Sequence, residues 1–386
     1  MNYPILIAPI SRALEDPAIF TANNEAQLQK LILDPIFQTQ IDLPKRLVIV
    51  IDALDECDDN ILVNIVELLA TSLETTHPSI RSRLRFLVTS RPEIPLVDFF
   101  ERRCIPSFDM STINPDDRER DIRIFLRDEL QKLAKLTSYE LREADIRLLA
   151  KISGGVFVAA RIAIDFVASG ESPDSQLQRL QNAGPISGLD VVYRLVIDSM
   201  AQEPDILGVV VLSFAPLSRQ ALIDLLDIGA ERLDQLLAAL RAVIHVREGD
   251  AVYPIHASLR DFLTDRKRCT NLRILVEPSR HHSIISCACL DFMARFLTKP
   301  ELDDTCRDGK NLLPYACRYW ARHLADSDLD GSLVDRLQGF ASIRLLYWVE
   351  CLSLLDDLEL GINGLGILNE VLVGLCLHDC EHKLDI

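Results

Sequence analysis

Along the first 110 residues, short continuous apolar runs alternate with stretches of helical period. RLVIVI (46–51), LRFLVTS (84–90) and the weaker CIPSFDM (104–110) have the length and bounding turn residues of buried strands. Between the first two, DDNILVNIVELLATSLE returns to a period near 3.6, with Asp58 or Asp59 placed to cap it. LVDFFERR forms a shorter helix after Pro92 and Pro95. Ahead of the first strand, residues 5–15 and 22–33 carry helical spacing, the first weakened by Pro9 and the second closed by Pro35. The segment YPILIA (3–8) also suits an edge strand. Strand, helix, strand, helix, strand with uninterrupted apolar strands predicts a parallel sheet covered by helices.

Helical period then takes over. NPDDRERDIRIFLRDELQKLAKL opens on acids and closes on lysines, matching the helix dipole. SYELREADIRLLAKISGG ends in a glycine pair suited to a C-cap. VFVAARIAIDFVASG is apolar enough to be buried. Helices over 189–202, 204–213, 218–226 and 231–241 precede a switch to period two at Val243–Arg247 and Val252–Ile255, joined by a Gly249-Asp250 turn. This predicts a β-hairpin, and helices followed by one hairpin describe a winged helix. Beyond about residue 271 everything has helical period, with turn signals near 278, 299–310 and 326–332 and no convincing fixed-period repeat. The class is α/β plus α.

Composition narrows the function. Of 386 residues 48% are hydrophobic and 6% aromatic, enough for a large helix-rich core. Fifty-eight acids against 41 bases give a net charge of −17, which argues against binding along a nucleic-acid backbone. The helix ahead of the hairpin sets Arg232 and Arg241 against Glu231 and Asp234, too neutral for a DNA-recognition helix. DRKRC (265–269) suits a solvated helix end. Ten scattered cysteines in a chain of this size predict reduced thiols. No signal peptide is evident and Ile206–Leu212 is too short to span a bilayer, so a soluble cytoplasmic protein is expected. RHH (280–282) and CAC (287–289) share a helix and are expected at surface and core respectively. CLHDCEH (376–382) lacks the usual zinc spacing and lies in helical surroundings, so no metal site is expected there.

The chemistry concentrates at two strand ends. Asp52 closes the first apolar run, where ligands bind in open α/β sheets, and a carboxylate there suits magnesium. Asp55 and Glu56 follow, placed to orient an attacking water. The same pattern also describes an ordinary strand end before an acidic helix start. The second strand ends in Thr89, Ser90 and Arg91, and an arginine there can reach a phosphate bidentately or simply precede a proline turn. His256 stands beside the hairpin as a phosphate donor or as a satisfied structural histidine.

LVIVIDALDECDD, LRFLVTSRPE, ISGGVFVAARIAIDFV, YPIHASLRDFL, LLPYACRYWARHL and LLYWVECLSLL follow in that order. The set resembles the NACHT-domain NTPases of filamentous and mushroom-forming fungi, members of the STAND class of signal-transduction ATPases similar in design to NOD-like receptors. The resemblance implies an ATP/ADP switch that oligomerises on release by a sensor, with a role of the innate-immunity or heterokaryon-incompatibility kind. It implies that IDALDEC is the Walker B segment, with Asp52 holding Mg2+ through water and Asp55 and Glu56 as the hydrolytic acids. Thr89 and Arg91 would form sensor 1, with Arg91 on the γ-phosphate. His256 would reach the β-phosphate of ADP and lock the closed state. SGGVFV lacks the proline that often contacts the base in relatives, which leaves adenine contact there in doubt. Implied partners are copies of the chain or full-length NACHT relatives, with neither nucleic acid nor membrane. Implied domains are a partial P-loop NTPase core (1–112), its helical subdomain (113–188), a winged helix (189–270) and an all-helical C-terminal region (271–386).

The departure is upstream. A P-loop, G-x-x-x-x-G-K-[ST], should precede Walker B, and the first 45 residues contain no glycine. The strands predicted here would also leave a sheet of only three, with edges its relatives fill. The expectation is either a fragment whose natural start lies upstream or a protein that lost nucleotide chemistry and kept the scaffold. In both cases this chain should bind ATP poorly and hydrolyse it at background. The alternative function is a nucleotide-free interaction module or a regulator of full-length relatives. Relatives often carry WD40 or other sensing repeats, and none is visible in this sequence.

Overall fold

A computed structural model describes residues 4–38, 47–56, 59–75, 84–91, 94–170, 172–182, 188–197, 204–247, 250–297 and 311–382. The chain divides into two units, Met1–Thr112 and Ile113–Ile386.

The first unit opens with a 3-10 turn at Pro4–Leu6 and helix α1 (Ile7–Leu14), so residues 4–8 of the YPILIA segment are helical, and Tyr3 lies outside the described residues. After α2 (Ala18–Thr21), Asn23 caps α3 (Asn24–Leu28), its side chain accepting from the Ala26 N–H at 2.9 Å. The helix does not stop at Pro35. It widens into a π turn at Gln29–Leu33 and continues as α4 (Asp34–Gln38). The Asp34 N–H reaches back five residues to the Gln29 carbonyl, so the missing N–H of Pro35 falls where the ladder is already rephased.

Strands β1 (Leu47–Ile51) and β2 (Leu84–Val88) pair in parallel, from Leu47 opposite Leu84 to Ile51 opposite Val88. Helix α5 (Asp59–Thr75) lies between them in sequence and α6 (Ile94–Arg102) follows. The residue that caps α5 lies outside the described residues. One sheet face packs Leu47 and Leu84 with Leu6, Leu33 and Ile36. Leu54, Val66 and Leu96 form a second small cluster. The opposite face leaves Val48, Val50 and Leu87 exposed. The predicted third strand is absent: residues 105–109 are irregular. Cys104 is left-handed at φ 49°, and the Ile105 N–H is bonded back to the Phe100 carbonyl at 2.9 Å. Pro106 has no N–H to offer, and Phe108 is 71% exposed.

The second unit is mostly helical. Asn114 caps α7 (Pro115–Leu136), which buries Ile122, Leu126 and Leu130 at spacing four. Helix α8 (Glu143–Ser153) ends at Gly154, whose φ of 58° no β-carbon residue adopts cheaply. Helices α9 (Phe157–Ser169), α10 (Pro173–Asn182), α11 (Leu189–Ile197) and α12 (Pro204–Leu212) follow. Strand β3 (Leu217–Ser218) leads into α13 (Arg219–Leu226) and α14 (Ala230–Ala239), then the hairpin β4 (Ile244–Val246) and β5 (Ala251–Pro254), then α15 (Ser258–Thr264). The three strands are antiparallel in the order β3-β5-β4. The sequence pattern predicts the hairpin and misses β3, since two residues carry no period.

Helices α16 (Pro278–Phe296), α17 (Leu313–Ala325), α18 (Gly331–Gly339), α19 (Leu345–Leu354) and α20 (Leu358–His382) complete the unit, a π turn at Phe340–Arg344 joining α18 to α19. One continuous core runs from Ile122 to Leu368. Trp320 and Trp348 are fully buried and meet edge to face at 5.7 Å, and the Trp348 Nε1–H donates to the Cys317 carbonyl at 2.8 Å. A β-carbon at Gly361 would lie 2.8 Å from Leu352, and one at Gly364 3.3 Å from Trp348, so glycine lets α20 approach α19 closely.

RHH is not a surface patch. His281 and His282 are buried on the face of α16 that also carries Ile285, Cys289 and Met293. His282 Nδ1 lies 2.7 Å from His323 Nδ1, and His323 Nε2 lies 2.8 Å from the Tyr315 hydroxyl. Each imidazole thus has a polar partner inside the core. Phe214 stacks on His282 at 5.9 Å and takes the Arg322 guanidinium over its ring at 4.1 Å. Cys289 is in the core, as expected, and Cys287 is half-buried. Cys104, Cys269, Cys287, Cys289 and Cys317 are free thiols, whereas Cys351 is disulfide-bonded. The expectation of ten reduced thiols rests on chain size and compartment, and Cys351 departs from it. Among the described residues no helix is long and apolar enough to cross a membrane.

Candidate functional site

The parallel register sets residue 52 beside residue 89, one step past the paired Ile51 and Val88. The chain there is tied from both sides. The Thr89 N–H donates to the Ile51 carbonyl at 2.9 Å and the Leu54 N–H to the Thr89 carbonyl at 2.9 Å. Between them Ala53 turns into the left-handed region at φ 54°, a costly conformation for a residue with a β-carbon. This turn aims the Ala53 N–H at Thr89 Oγ1, 2.9 Å away, and the Thr89 hydroxyl donates to Asp52 Oδ1. Thr89 therefore fixes the rotamer of Asp52 while leaving that side chain exposed at the strand end. A singly oriented, solvent-facing carboxylate fits a hydrated magnesium ion held through water, since a hard ion of that size keeps most of its own waters.

Asp55 is differently placed. Its Oδ1 accepts the Arg91 N–H at 3.0 Å and its Oδ2 sits 3.3 Å from Arg91 Nε. The carboxylate is 12% exposed, so the ion pair is partly shielded from solvent. The acid expected to orient water and the arginine expected on a phosphate thus hold each other. The Glu56 side chain lies outside the described residues.

His256 belongs to the second unit, between β5 and α15. Its Nδ1 accepts the Ser258 N–H at 3.1 Å and lies 2.8 Å from Ser258 Oγ, which is 2.9 Å from the buried Tyr193 hydroxyl. Burial pushes the Tyr193 phenol up to about 12. An Nδ1 that accepts a backbone N–H carries no proton of its own, so neutral His256 presents an Nε2–H donor from an exposed ring. The spacing His-x-Ser was available in the sequence, and Tyr193, 65 positions from Ser258, was not.

Asp52, Thr89, Asp55 and Arg91 come together at the carboxyl ends of two parallel strands. The architecture is compatible with an α/β unit followed by a helical one, the class in which such strand ends bind ligands. The family model described as "Nephrocystin 3, N-terminal" matches residues 3–91, which include both strands and all four of these residues. The chain is 24% identical over 393 aligned residues to vegetative incompatibility protein HET-E-1 of Podospora anserina, covering 89% of this chain and 28% of that protein. It therefore spans less than a third of the curated relative it matches. No solved structure matches the chain. Together the two matches support a fungal NACHT-type protein.

Proposed function

We propose that the chain is the switch portion of a STAND-type signalling ATPase with an incompatibility-like role, carrying the magnesium and sensor half of a nucleotide site. The observation that carries this reading is the convergence of Asp52, Thr89 and Arg91 at two parallel strand ends. Asp52, oriented by Thr89, would hold a hydrated magnesium ion. Asp55 and Glu56 would serve the attacking water, and Arg91 would release Asp55 to meet a γ-phosphate. The segment with β3, β4 and β5 we read as the winged helix, from which the His256 Nε2–H would donate to the β-phosphate of ADP. A bound magnesium ion would supply charge neutralisation for the phosphates.

The sequence carries no P-loop ahead of Asp52. Backbone donors for the phosphates are then missing, and we expect ADP binding no tighter than about 1 mM and ATP turnover at background. Titration calorimetry with Mg·ADP tests the first statement. Turnover that disappears in Asp52→Ala would overturn the second. Fusing the P-loop strand and helix of a fungal NACHT relative ahead of residue 1 should restore Mg-dependent ADP binding that Asp52→Ala removes. A folded fusion that binds nothing overturns the half-site reading.

The Asp55–Arg91 pair favours a second reading, a nucleotide-free interaction module that associates with full-length relatives. In that case Asp55 and Arg91 act only to pin the two loops together, and the fusion stays inert.

A further inference from the structure

Three sulfurs from three helices touch in the core of the second unit. Met293 comes from α16, Cys317 from α17 and Cys351 from α19, and all three are buried. The Cys317 Sγ lies 3.9 Å from the Met293 Sδ and 3.6 Å from the Cys351 Sγ. The hydrogen bond from Trp348 Nε1 to the Cys317 carbonyl sets one turn of α17 against α19, and Cys351 stands one turn beyond Trp348. The two cysteines differ in state. Cys317 is a free thiol, and Cys351 is disulfide-bonded to a partner outside the described residues. A free thiol packed on a disulfide sulfur is the arrangement from which thiol–disulfide exchange starts.

From this contact we propose that Cys317 is the second partner of Cys351, and that exchange between them latches α17 to α19 through a covalent bond. In the step the Cys317 thiol gives up its proton and its sulfur attacks the Cys351 Sγ. The bond from Cys351 to its present partner breaks. The electron pair leaves with the partner sulfur, which takes up the proton. One disulfide and one thiol stand on each side, so neither oxidant nor reductant is consumed. Bonded sulfurs lie about 2.05 Å apart, so the two must close by roughly 1.5 Å from their present separation. Side-chain rotation with a small helix shift supplies that movement.

Burial decides when the latch closes. The thiolate is the attacking species, and burial pushes the Cys317 thiol well above its ordinary range. The closed core therefore preserves the present bond of Cys351. Loosening of α17 against α19 admits water, lets the thiolate form and starts the exchange. A small thiol in solution is kept out by the same packing, whereas Cys317 is already in place. Cys289 is a second buried free thiol, four residues before Met293 on α16, and it serves as a control for contact as against mere burial. The latch thus responds to motion of the C-terminal helices, and once closed it restrains the unfolded chain and stabilises their pairing. The inference does not depend on the nucleotide reading.

Peptide mapping of the whole chain tests it. The chain is held without added thiol in urea just below its unfolding transition, quenched with N-ethylmaleimide in acid and denaturant, and digested without reduction. Before incubation Cys351 should be joined to its present partner and Cys317 alkylated. Incubation should produce peptides joined through Cys317 and Cys351, with the former partner now alkylated. Cys317→Ser should abolish the conversion and keep the original bond. Cys289→Ala should convert as the parent chain does. A Cys351 that is alkylated as a free thiol before incubation overturns the proposal. So does the lack of Cys317–Cys351 peptides in urea where hydrogen exchange shows α17 and α19 opening. Peptides joining Cys289 to Cys351 in equal amount also overturn it, since the contact would then not direct the chemistry.

Discussion

Two glycines in this protein have opposite reasons for being glycine. Gly208 lies within α12, and a β-carbon there would run into the buried ring of His281. Gly366 lies on the outer side of α20 with open space around it. Replacing a helical glycine with alanine is worth about 1 kcal/mol in backbone propensity at either position. At Gly366 that gain should appear nearly whole, as a stabilisation of about 0.5–1 kcal/mol. At Gly208 overpacking against an immobile ring costs roughly 1–3 kcal/mol and reverses the sign. Urea melts of Gly208→Ala and Gly366→Ala, run at low concentration, should therefore shift in opposite directions.

At the scale of elements, the pairing of His282 on α16 with His323 on α17 ties two helices through a proton. Burial lowers the pKa of both, that of His323 to about 2. Unfolded histidine titrates near 6.5. Below that value the unfolded chain takes up protons that the folded chain refuses, so stability is fully present above pH 6.5 and falls as pH drops. The slope is roughly 1.4 kcal/mol per pH unit for each proton. Between pH 7.5 and 5 His323 alone contributes a loss of about 2 kcal/mol, to which His282 adds in the same direction, read as a falling urea midpoint. A flat profile would mean that these rings are not closed to protons. His282 was not legible as core, because RHH interrupts an otherwise apolar face and only the packing of α17 reveals its use. The long helices, the parallel strand pair and the hairpin were legible, since each carries several turns or alternations. What escaped was short or non-local. Two-residue β3 has no period, the π turn before Pro35 leaves no composition signal, and CIPSFDM looked like a strand although the N–H groups of Cys104 and Ile105 are bonded back to the preceding helix and Pro106 has none. The candidate residues at the strand ends were nameable from type and position. The links Thr89 to Asp52 and Arg91 to Asp55 were not, because they follow from register between segments 36 or 37 residues apart.

The whole molecule is uneven in what holds it. Among the described residues the first unit shows two separate clusters, of five and three buried apolar residues. The second has one continuous core. Hydrophobic stabilisation follows apolar burial, so the first unit should open at lower denaturant. Hydrogen exchange of the whole chain should show β1 and β2 amides exchanging through openings of lower free energy than those of α16 and α17. Equal protection in both units would contradict this.

That unevenness has an optical side. The chain has two tryptophans, and both belong to the sealed pair in the C-terminal helices. Excited near 295 nm, the protein emits from one place only. An experimenter watching its fluorescence would record a native spectrum from molecules whose strand-end carboxylates had already lost their scaffold, and would misjudge the fraction in which the first unit is folded. A tryptophan introduced as Phe99→Trp, beside the Leu54 cluster, would give the first unit a voice of its own.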